Sequence, residues 1–166
     1  MVLLSLLSLA YTYPHKSIDK NCSIRIMSKT NPITGKITFA SKEKFKFVDG
    51  SGESSIDLLI VRQNKELTLR FKSPSEICVP MALEIVLSTQ EGKKVPLKSN
   101  SKENCKGSMI FNFGGMFGKE NFKQIFKEEG IQSIMFENTE LELLRYDLKA
   151  QDKRELHQVF QCLLNV

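Results

Sequence analysis

The class of the fold can be inferred from residues 43–71, which read EKFKFVDGSGESSIDLLIVRQNKELTLRF. Phe45 and Phe47 alternate with lysines, and this period of two places one face of a β-strand in a core and the other in water. An Asp-Gly-Ser-Gly turn follows, and then an apolar run at residues 56–61, interrupted only by Asp57, that suits a central strand. After a second turn, apolar residues alternate again at residues 66–71. Three short strands joined by tight turns predict an antiparallel sheet.

The same rhythm extends in both directions from this stretch. Further strands are predicted at residues 23–28, 37–39, 81–87, 95–98, 107–113, 131–136 and 141–148. Apolar residues recur at helical spacing in residues 119–129, which stop at Gly130, and in residues 152–164, where Asp152 suits the N-cap. The sequence therefore predicts an α+β fold, a predominantly antiparallel β-sheet with two helices in the C-terminal third. Residues 11–166 form a single domain in this interpretation.

Length and composition place the chain among ordinary globular proteins. It has 166 residues, of which 41% are hydrophobic and 26% are charged, so a disordered, collagen-like or coiled-coil chain is excluded. The net charge of +5 raises the question of nucleic acid. However, 19 of the 24 basic residues are lysine and there is no tryptophan, whereas nucleic-acid recognition favours arginine and aromatic stacking. We therefore do not expect nucleic acid as a partner, and we interpret the lysines as a solvated surface.

The N-terminus predicts export. Residues 1–10 read MVLLSLLSLA, a short apolar segment in which Ser8 and Ala10 are small residues at the −3 and −1 positions of a cleavage site. No lysine or arginine precedes Lys16, so the basic start of a secretory signal is missing. A buried N-terminal strand or helix is the alternative. We interpret residues 1–10 as a cleaved signal peptide, which leaves no transmembrane segment in the mature chain and predicts a periplasmic or secreted protein.

The four cysteines predict disulfides rather than a metal site. None lies in a Cys-x-x-Cys pair and the chain has only 2 histidines, so zinc-type spacing is absent. Export favours disulfides, whereas four free thiols in a cytosolic protein are the alternative. We predict a bridge between Cys78 and Cys105, because both are expected to begin strands at one end of a three-stranded meander whose middle strand is short. Cys22 and Cys162 remain as a second candidate pair, which nothing in the sequence places together.

A glycine-rich turn is the most conspicuous motif. Residues 111–119 read FNFGGMFGK, and Phe113 stands where a P-loop needs glycine. The backbone amides of Gly114 and Gly115, with Lys119 at the start of the predicted helix, form a candidate anion-binding turn. A tight strand-to-helix turn, in which glycine supplies a positive φ, is the alternative that we favour.

The sequence contains no recognisable catalytic constellation. His157 has no acidic neighbour at helical spacing that would hold it as a base. No serine lies in the Gly-x-Ser-x-Gly pattern of a nucleophile elbow. We therefore predict no catalytic residue, no cofactor and no metal site.

One stretch carries a more specific resemblance. From Cys78 the chain reads CVPMALEIVL, then EGKKVPLK, then ENCKGSMIFNFGGMFGKENFKQIFKEEGIQSIMF, and it ends in FQCLLN. This pattern over residues 78–166 resembles a family of small uncharacterised exported proteins of Bacteroidota, in its Cys-led strand, Asn-Cys-x-Gly step, Phe-Gly-Gly-x-Phe-Gly turn and terminal Cys-Leu. The leader departs from that pattern, and so does the acidic stretch at residues 140–148. The resemblance implies a β-rich fold, an envelope or secreted location and no catalytic residue.

These observations lead to two function hypotheses. The first is a non-enzymatic, exported cell-envelope domain with a binding or structural role, whose partner is another envelope macromolecule. The alternative is an envelope hydrolase whose site is built from acidic and hydroxyl side chains that sequence patterns do not place. A cleft with converging polar groups and a carboxylate of raised pKa would favour the hydrolase.

Overall fold

The computed structural model describes residues 18–64, 66–73, 77–113 and 130–166. Its helices are α1 (Lys20–Ser23) and α2 (Ala150–Asn165), and its strands are β1 (Ile26–Thr30), β2 (Ile37–Ser41), β3 (Phe45–Val48), β4 (Ser55–Gln63), β5 (Glu66–Lys72), β6 (Glu84–Thr89), β7 (Lys94–Lys98), β8 (Ser108–Phe113), β9 (Ile131–Glu137) and β10 (Leu143–Leu148). All pairings between these described strands are antiparallel. The predicted α+β class with a predominantly antiparallel sheet is therefore confirmed.

Strand β4 is the centre of the sheet. Strand β5 pairs along one of its edges, whereas β3 pairs with the first half of the other edge and β2 with the second half. Residues 42–44 thus interrupt what would otherwise be one long strand. Eight strands follow one another in the order β8-β5-β4-β3-β10-β9-β6-β7, and the β1–β2 hairpin branches off at the end of β4.

This row of eight strands curls until its two ends meet. Just after β7, Asn100 donates its backbone N–H to the carbonyl of Ile110 in β8 at 2.9 Å, and the Ile110 N–H donates to Ser101 Oγ at 2.7 Å. The curl encloses one apolar core. Its largest fully buried side chains are Phe47, Phe71, Phe111, Phe160, Ile26, Ile56, Leu58, Ile60, Leu69, Ile85 and Leu87.

Helix α2 closes one end of the curled sheet. It follows β10 directly, and the Lys149 N–H donates to the Lys46 carbonyl at 3.4 Å. Asp152 Oδ2 in turn accepts the Lys46 N–H at 3.5 Å. At the far end of the helix, Arg62 Nη1 donates to the Leu163 carbonyl, so a cation from β4 stabilises the negative end of the helix dipole. Partial burial lowers the pKa of the Arg62 guanidinium. The buried side chains of the helix are Leu156, Val159, Phe160, Cys162 and Leu163.

Most strands occupy their predicted positions, but three local expectations are wrong. The strand predicted at residues 23–28 begins only at Ile26, because a helical turn precedes it, and Ile24 is 65% exposed. The strand predicted at residues 81–87 begins at Glu84, because Ala82 adopts a positive φ of 56° that a strand does not accommodate. The N-cap of α2 is Lys149, and Asp152 lies in the first turn.

Two further predictions fall outside the described residues, namely the helix at residues 119–129 and the leader at residues 1–10. Of the two described helices, α2 was predicted and α1 was not. None of the helices in the described ranges has the length and apolar character needed to span a bilayer.

Candidate binding groove at the Cys22–Cys162 bridge

The candidate site begins at helix α1, which the sequence patterns did not predict. Asp19 caps this helix, because its Oδ1 accepts the Asn21 N–H at 3.0 Å and its carbonyl accepts the N–H groups of Cys22 and Ser23, both at 2.9 Å. An aspartate at the N-cap accepts hydrogen bonds from backbone N–H groups that, in a strand, would instead bond to a neighbouring strand. This local hydrogen bonding outweighs the alternation of isoleucines in the sequence.

A disulfide joins α1 to the last turns of α2. Cys22 and Cys162 are 140 residues apart in sequence, and their Cα atoms are 5.4 Å apart with the sulfurs bonded. Cys162 is buried in the core, whereas Cys22 lies at the surface and is partly exposed. The bridge therefore connects the surface helix to the closed end of the sheet.

Arg25 reinforces the same junction with charge-assisted hydrogen bonds. Its Nε donates to Gln158 Oε1 at 3.0 Å and lies 3.0 Å from Glu155 Oε1, and its Nη1 donates to the Asn21 carbonyl at 2.7 Å. Such bonds are shorter and stronger than neutral ones. We refer to residues 19–25 together with the facing side chains of α2 as the α1–α2 corner. A covalent bond and a guanidinium with three partners hold this corner in place.

The α1–α2 corner contains an open groove of about 430 Å³, a volume in the range of small-ligand sites. Four of its polar side chains are carboxamides, which both donate and accept hydrogen bonds. The side-chain amides of Asn21 and Asn165 have no hydrogen-bond partner within the described part of the chain. The polar side chains of its walls are Asp19, Asn21, Arg25, Gln158, Gln161 and Asn165.

The helical wall of the groove has a sequence signal that pattern analysis overlooked. Gln158, Gln161 and Asn165 follow one another at spacings of three and four, which places them on one face of α2. His157 lies beside this face, and its Nε2 is 3.0 Å from Gln161 Nε2. A stripe of uncharged carboxamides along a helix is the feature that could have located this wall.

The second bridge, between Cys78 and Cys105, lies in another part of the fold. The predicted partners are bonded and their Cα atoms are 3.7 Å apart, but the predicted meander is wrong because β8 pairs with β5 and not with β7. The cysteines are brought together by Val79 and Asn104, whose N–H groups donate to each other's carbonyls at 2.8 and 3.1 Å. A direct contact between two loop segments replaces the expected crossing over a middle strand.

Three Ser-x-x-Lys sequences, at Ser17/Lys20, Ser41/Lys44 and Ser99/Lys102, have the spacing of an activated serine nucleophile, and Ser17 lies outside the described residues. Ser41 Oγ is buried and accepts a backbone N–H of β4 at 3.2 Å, and Lys44 Nζ lies 3.7 Å from a carboxylate of β4. Ser99 Oγ donates to a backbone carbonyl of β8 at 3.1 Å. Ser41 and Ser99 therefore hold strands in position, and Lys44 is directed to a carboxylate.

The candidate anion-binding turn at Gly114, Gly115 and Lys119 lies outside the described residues. Among the residues that are described, no group of three or more His, Cys, Asp or Glu side chains is arranged to hold a metal ion.

Comparison with known proteins gives no indication of a ligand for the groove, so its role is inferred from its own side chains. The chain matches no protein-family model, no curated protein and no solved structure. The resemblance to exported proteins of Bacteroidota therefore remains a sequence-based expectation.

Proposed function

We propose that this chain is an exported, non-enzymatic domain of the cell envelope that binds another envelope macromolecule at the α1–α2 corner. The observation that carries the proposal is the groove, in which four carboxamides, one guanidinium and one carboxylate line a single open surface. Because a disulfide and the bonds of Arg25 hold the walls, little conformational entropy is lost when a ligand binds. A preorganised polar surface of this kind suits recognition.

The cysteines support the export half of the proposal. All four are bonded in two bridges, and disulfides form and persist mainly in oxidising compartments such as the periplasm and the extracellular space. A periplasmic or secreted location agrees with this chemistry and with the leader expected at residues 1–10.

The composition of the groove favours binding over the alternative of an envelope hydrolase. A glycoside hydrolase needs two carboxyl groups, one as acid and one as base or nucleophile. Asp19 is the only carboxylate among the described residues that line the groove, and one of its oxygens accepts the capping hydrogen bond from Asn21. The carboxamides that surround it do not titrate and so cannot supply the second group.

Export is tested by fractionating cells that express the full chain. We expect the protein outside the cytoplasm with Tyr11 as its first residue, and with no thiol alkylated before reduction. Mass spectrometry measures both the N-terminus and alkylation. An uncleaved cytosolic chain with four alkylated cysteines would overturn the proposal.

Binding is tested by cross-linking the oxidised protein to solubilised envelope with a lysine-reactive reagent. We expect cross-links from Lys20 in α1 to exceed those from Lys94 and Lys98 in β7. The double variant Asn21→Ala/Asn165→Ala removes two free amides of the groove and should reduce the cross-links from Lys20. Thr139→Ala, at the exposed β9–β10 turn, is the matched control. Equal cross-linking in all three proteins would contradict binding at this groove.

A further inference from the structure

The free edges of the sheet are protected to different degrees. Among the described strands, β1, β7 and β8 each pair with a single neighbour. A free edge presents the N–H and C=O groups of alternate residues to any chain that can add a strand. The hydrogen bonds at the two ends of each strand pair identify the residues whose backbone groups face outward.

The edge of β8 is covered by side chains. Its outward residues are Ser108, Ile110 and Asn112. Asn104 accepts the Ser108 N–H at 3.1 Å and donates to its carbonyl at 3.0 Å, so one side chain satisfies both backbone groups. The N–H and carbonyl of Ile110 are bonded to the segment that follows β7, at 2.7 and 2.9 Å. The edge is therefore closed to a further strand along Ser108 and Ile110, which leaves only Asn112 at its end.

The edge of β7 is blocked by proline. Thr89 donates to the Lys93 carbonyl at one end of the β6–β7 pair and Ser99 donates to the Leu83 carbonyl at the other. Because hydrogen-bonded pairs alternate in an antiparallel ladder, the residues whose backbone points outward are Lys94, Pro96 and Lys98. Proline has no N–H, and lysines on an edge disfavour strand addition. The centre of this edge therefore cannot donate.

A fourth, partial edge is obstructed by a turn. Strand β10 pairs with β3 only at Asp147 and Leu148, so its first half is unpaired on that side. The turn at residues 49–54 follows β3 directly, and Ser54 Oγ lies 3.3 Å from the Tyr146 hydroxyl. A strand added to β10 would collide with this turn.

Among the residues that the structure describes, none protects the edge of β1 in these ways. The backbone N–H of Asn31 donates to the Lys36 carbonyl, and the backbone N–H of Lys42 donates to the Arg25 carbonyl. Because hydrogen-bonded pairs alternate, the backbone groups of Ile26, Ser28 and Thr30 point away from β2. Each of these residues retains its N–H. Ile26 is buried, whereas residues 27–30 are all exposed, so the open part of this edge is the backbone of Ser28 and Thr30.

The charge around β1 specifies the kind of chain that would bind. Residues 18–48 contain seven basic and two acidic residues, and their net charge of +5 equals that of the whole chain. Lys29, Lys36 and Lys42 make no ion pair with the described residues. If β1 of a second copy paired with this edge so that the two Ser28 residues lay opposite each other, two such basic segments would come together. The two Lys29 residues would then be diagonal cross-strand neighbours, about 7–8 Å apart. Self-pairing is therefore disfavoured, whereas an acidic chain is attracted.

We propose that β1 accepts an extended acidic peptide segment of another protein as an additional antiparallel strand. Met27, which is 47% exposed, and Lys29 share one face of β1. The added strand would place an apolar side chain opposite Met27 and a carboxylate opposite Lys29. This inference rests on the proposed function and specifies it, because β1 begins directly after the α1–α2 corner and the added strand makes the envelope partner a protein.

The probe is a fluorescein-labelled peptide, Thr-Val-Thr-Glu-Thr-Val-Thr-Glu, which carries apolar and acidic residues on one face and threonine on the other. We expect saturable binding to the purified oxidised protein, measured by fluorescence anisotropy. Replacing both glutamates of the peptide with lysine should weaken binding at least about tenfold, because attraction to Lys29 becomes repulsion.

Two N-methylated peptides provide a matched pair. In the proposed register the threonine N–H groups face Ser28 and Thr30, whereas the valine and glutamate N–H groups face solvent. Methylation of the threonine amides should weaken binding at least about tenfold because main-chain hydrogen bonds are lost. Methylation of the valine and glutamate amides should change affinity less than about threefold. Equal effects of the two patterns would overturn the proposal.

Substitutions in β1 test the same edge by changing the protein in place of the peptide. Ser28→Pro removes an outward N–H at a position equivalent to that of Pro96 in β7 and should abolish binding, whereas Ser28→Thr keeps the N–H and should bind as before. Sedimentation without peptide measures self-association, and a β1-mediated dimer would refute the proposal. Purified oxidised protein is used, so absence of peptide binding refutes strand addition alone, whereas cytosolic retention in the fractionation experiment refutes the proposed function.

Discussion

The two disulfide-bonded regions stabilise the fold in different ways. Cys78 and Cys105 are 27 residues apart and lie beside residues that already exchange two backbone hydrogen bonds. Cys22 and Cys162 are 140 residues apart and join two helices at the α1–α2 corner, where the remaining links are made by side chains such as Arg25. The first bridge strengthens an existing backbone contact, whereas the second connects the beginning of the described chain to its end.

The largest difference should appear when each bridge is removed. In the chain-entropy model a disulfide stabilises by restricting the unfolded chain, and more so for a longer loop. Cys22→Ala/Cys162→Ala should therefore lower the free energy of unfolding by about 5 kcal/mol, and Cys78→Ala/Cys105→Ala by about 4 kcal/mol. Urea unfolding followed by circular dichroism measures both. A larger loss for the Cys78/Cys105 variant would show that native contacts, and not loop length, decide the ranking.

The Cys78–Cys105 region depends on one glycine. Gly107 has a φ of 60°, and a Cβ at this position would lie 2.7 Å from Ser73 Cβ. Gly107→Ala should lower the free energy of unfolding by about 3 kcal/mol, because backbone strain and overlap add. Gly92→Ala is the control, since Gly92 has a φ of 83° with open space around its Cβ position, and it should cost only about 1 kcal/mol. Equal losses in thermal unfolding would contradict the overlap.

Asn104 provides the next test of the same region. Its side chain donates to the carbonyls of Lys102 and Ser108 and accepts the N–H groups of Lys106 and Ser108. Asn104→Ala should lower the free energy of unfolding by about 2 kcal/mol, because part-buried backbone groups lose their partners. Asn100→Ala, at an exposed neighbouring position, should have little effect. Hydrogen exchange should also show faster exchange of the Ser108 amide, and an unchanged rate would contradict this role.

The smallest effect is expected at the other region, where Arg62 supports the end of α2. Arg62→Met keeps the apolar stem but removes the donor to the Leu163 carbonyl, and should lower the free energy of unfolding by about 1 kcal/mol. Arg62→Lys retains the charge and should recover part of the loss. The loss should be greater in the variant that lacks the Cys22–Cys162 bridge, because both features hold the same helix end. Additive losses in a double-mutant cycle would argue against that coupling.

The sequence predicted the strands of the central sheet well for a local reason. In β3 and β5 the side chains alternate between core and solvent, and this period of two is visible without any knowledge of neighbouring strands. It failed at residues 23–28, where isoleucines alternate in the same way but Asp19 caps a helical turn. Alternation alone does not report such a competing hydrogen bond.

The candidate site was much less accessible to sequence analysis. The groove combines residues 19–25 with a carboxamide stripe near the C-terminus, and no spacing rule connects segments so far apart. The Cys78–Cys105 pairing was predicted for a geometric reason that proved wrong, since β8 pairs with β5. Pro96 is visible in the sequence. The strand-pairing register was nevertheless needed to show that its backbone faces outward in β7 and that the outward residues of β1 retain their N–H groups.

Local sequence was enough to determine most of the segments that form strands, most of the side chains that enter the core and where α2 lies, because backbone periodicity and burial are properties of neighbouring residues. Only the tertiary structure decided that the row of strands curls until β7 and β8 meet, that Cys22 bonds to Cys162 and that one edge of β1 is left unpaired. These outcomes depend on contacts between segments up to 140 residues apart. Such contacts form only when the whole core closes, so no window of the sequence contains them.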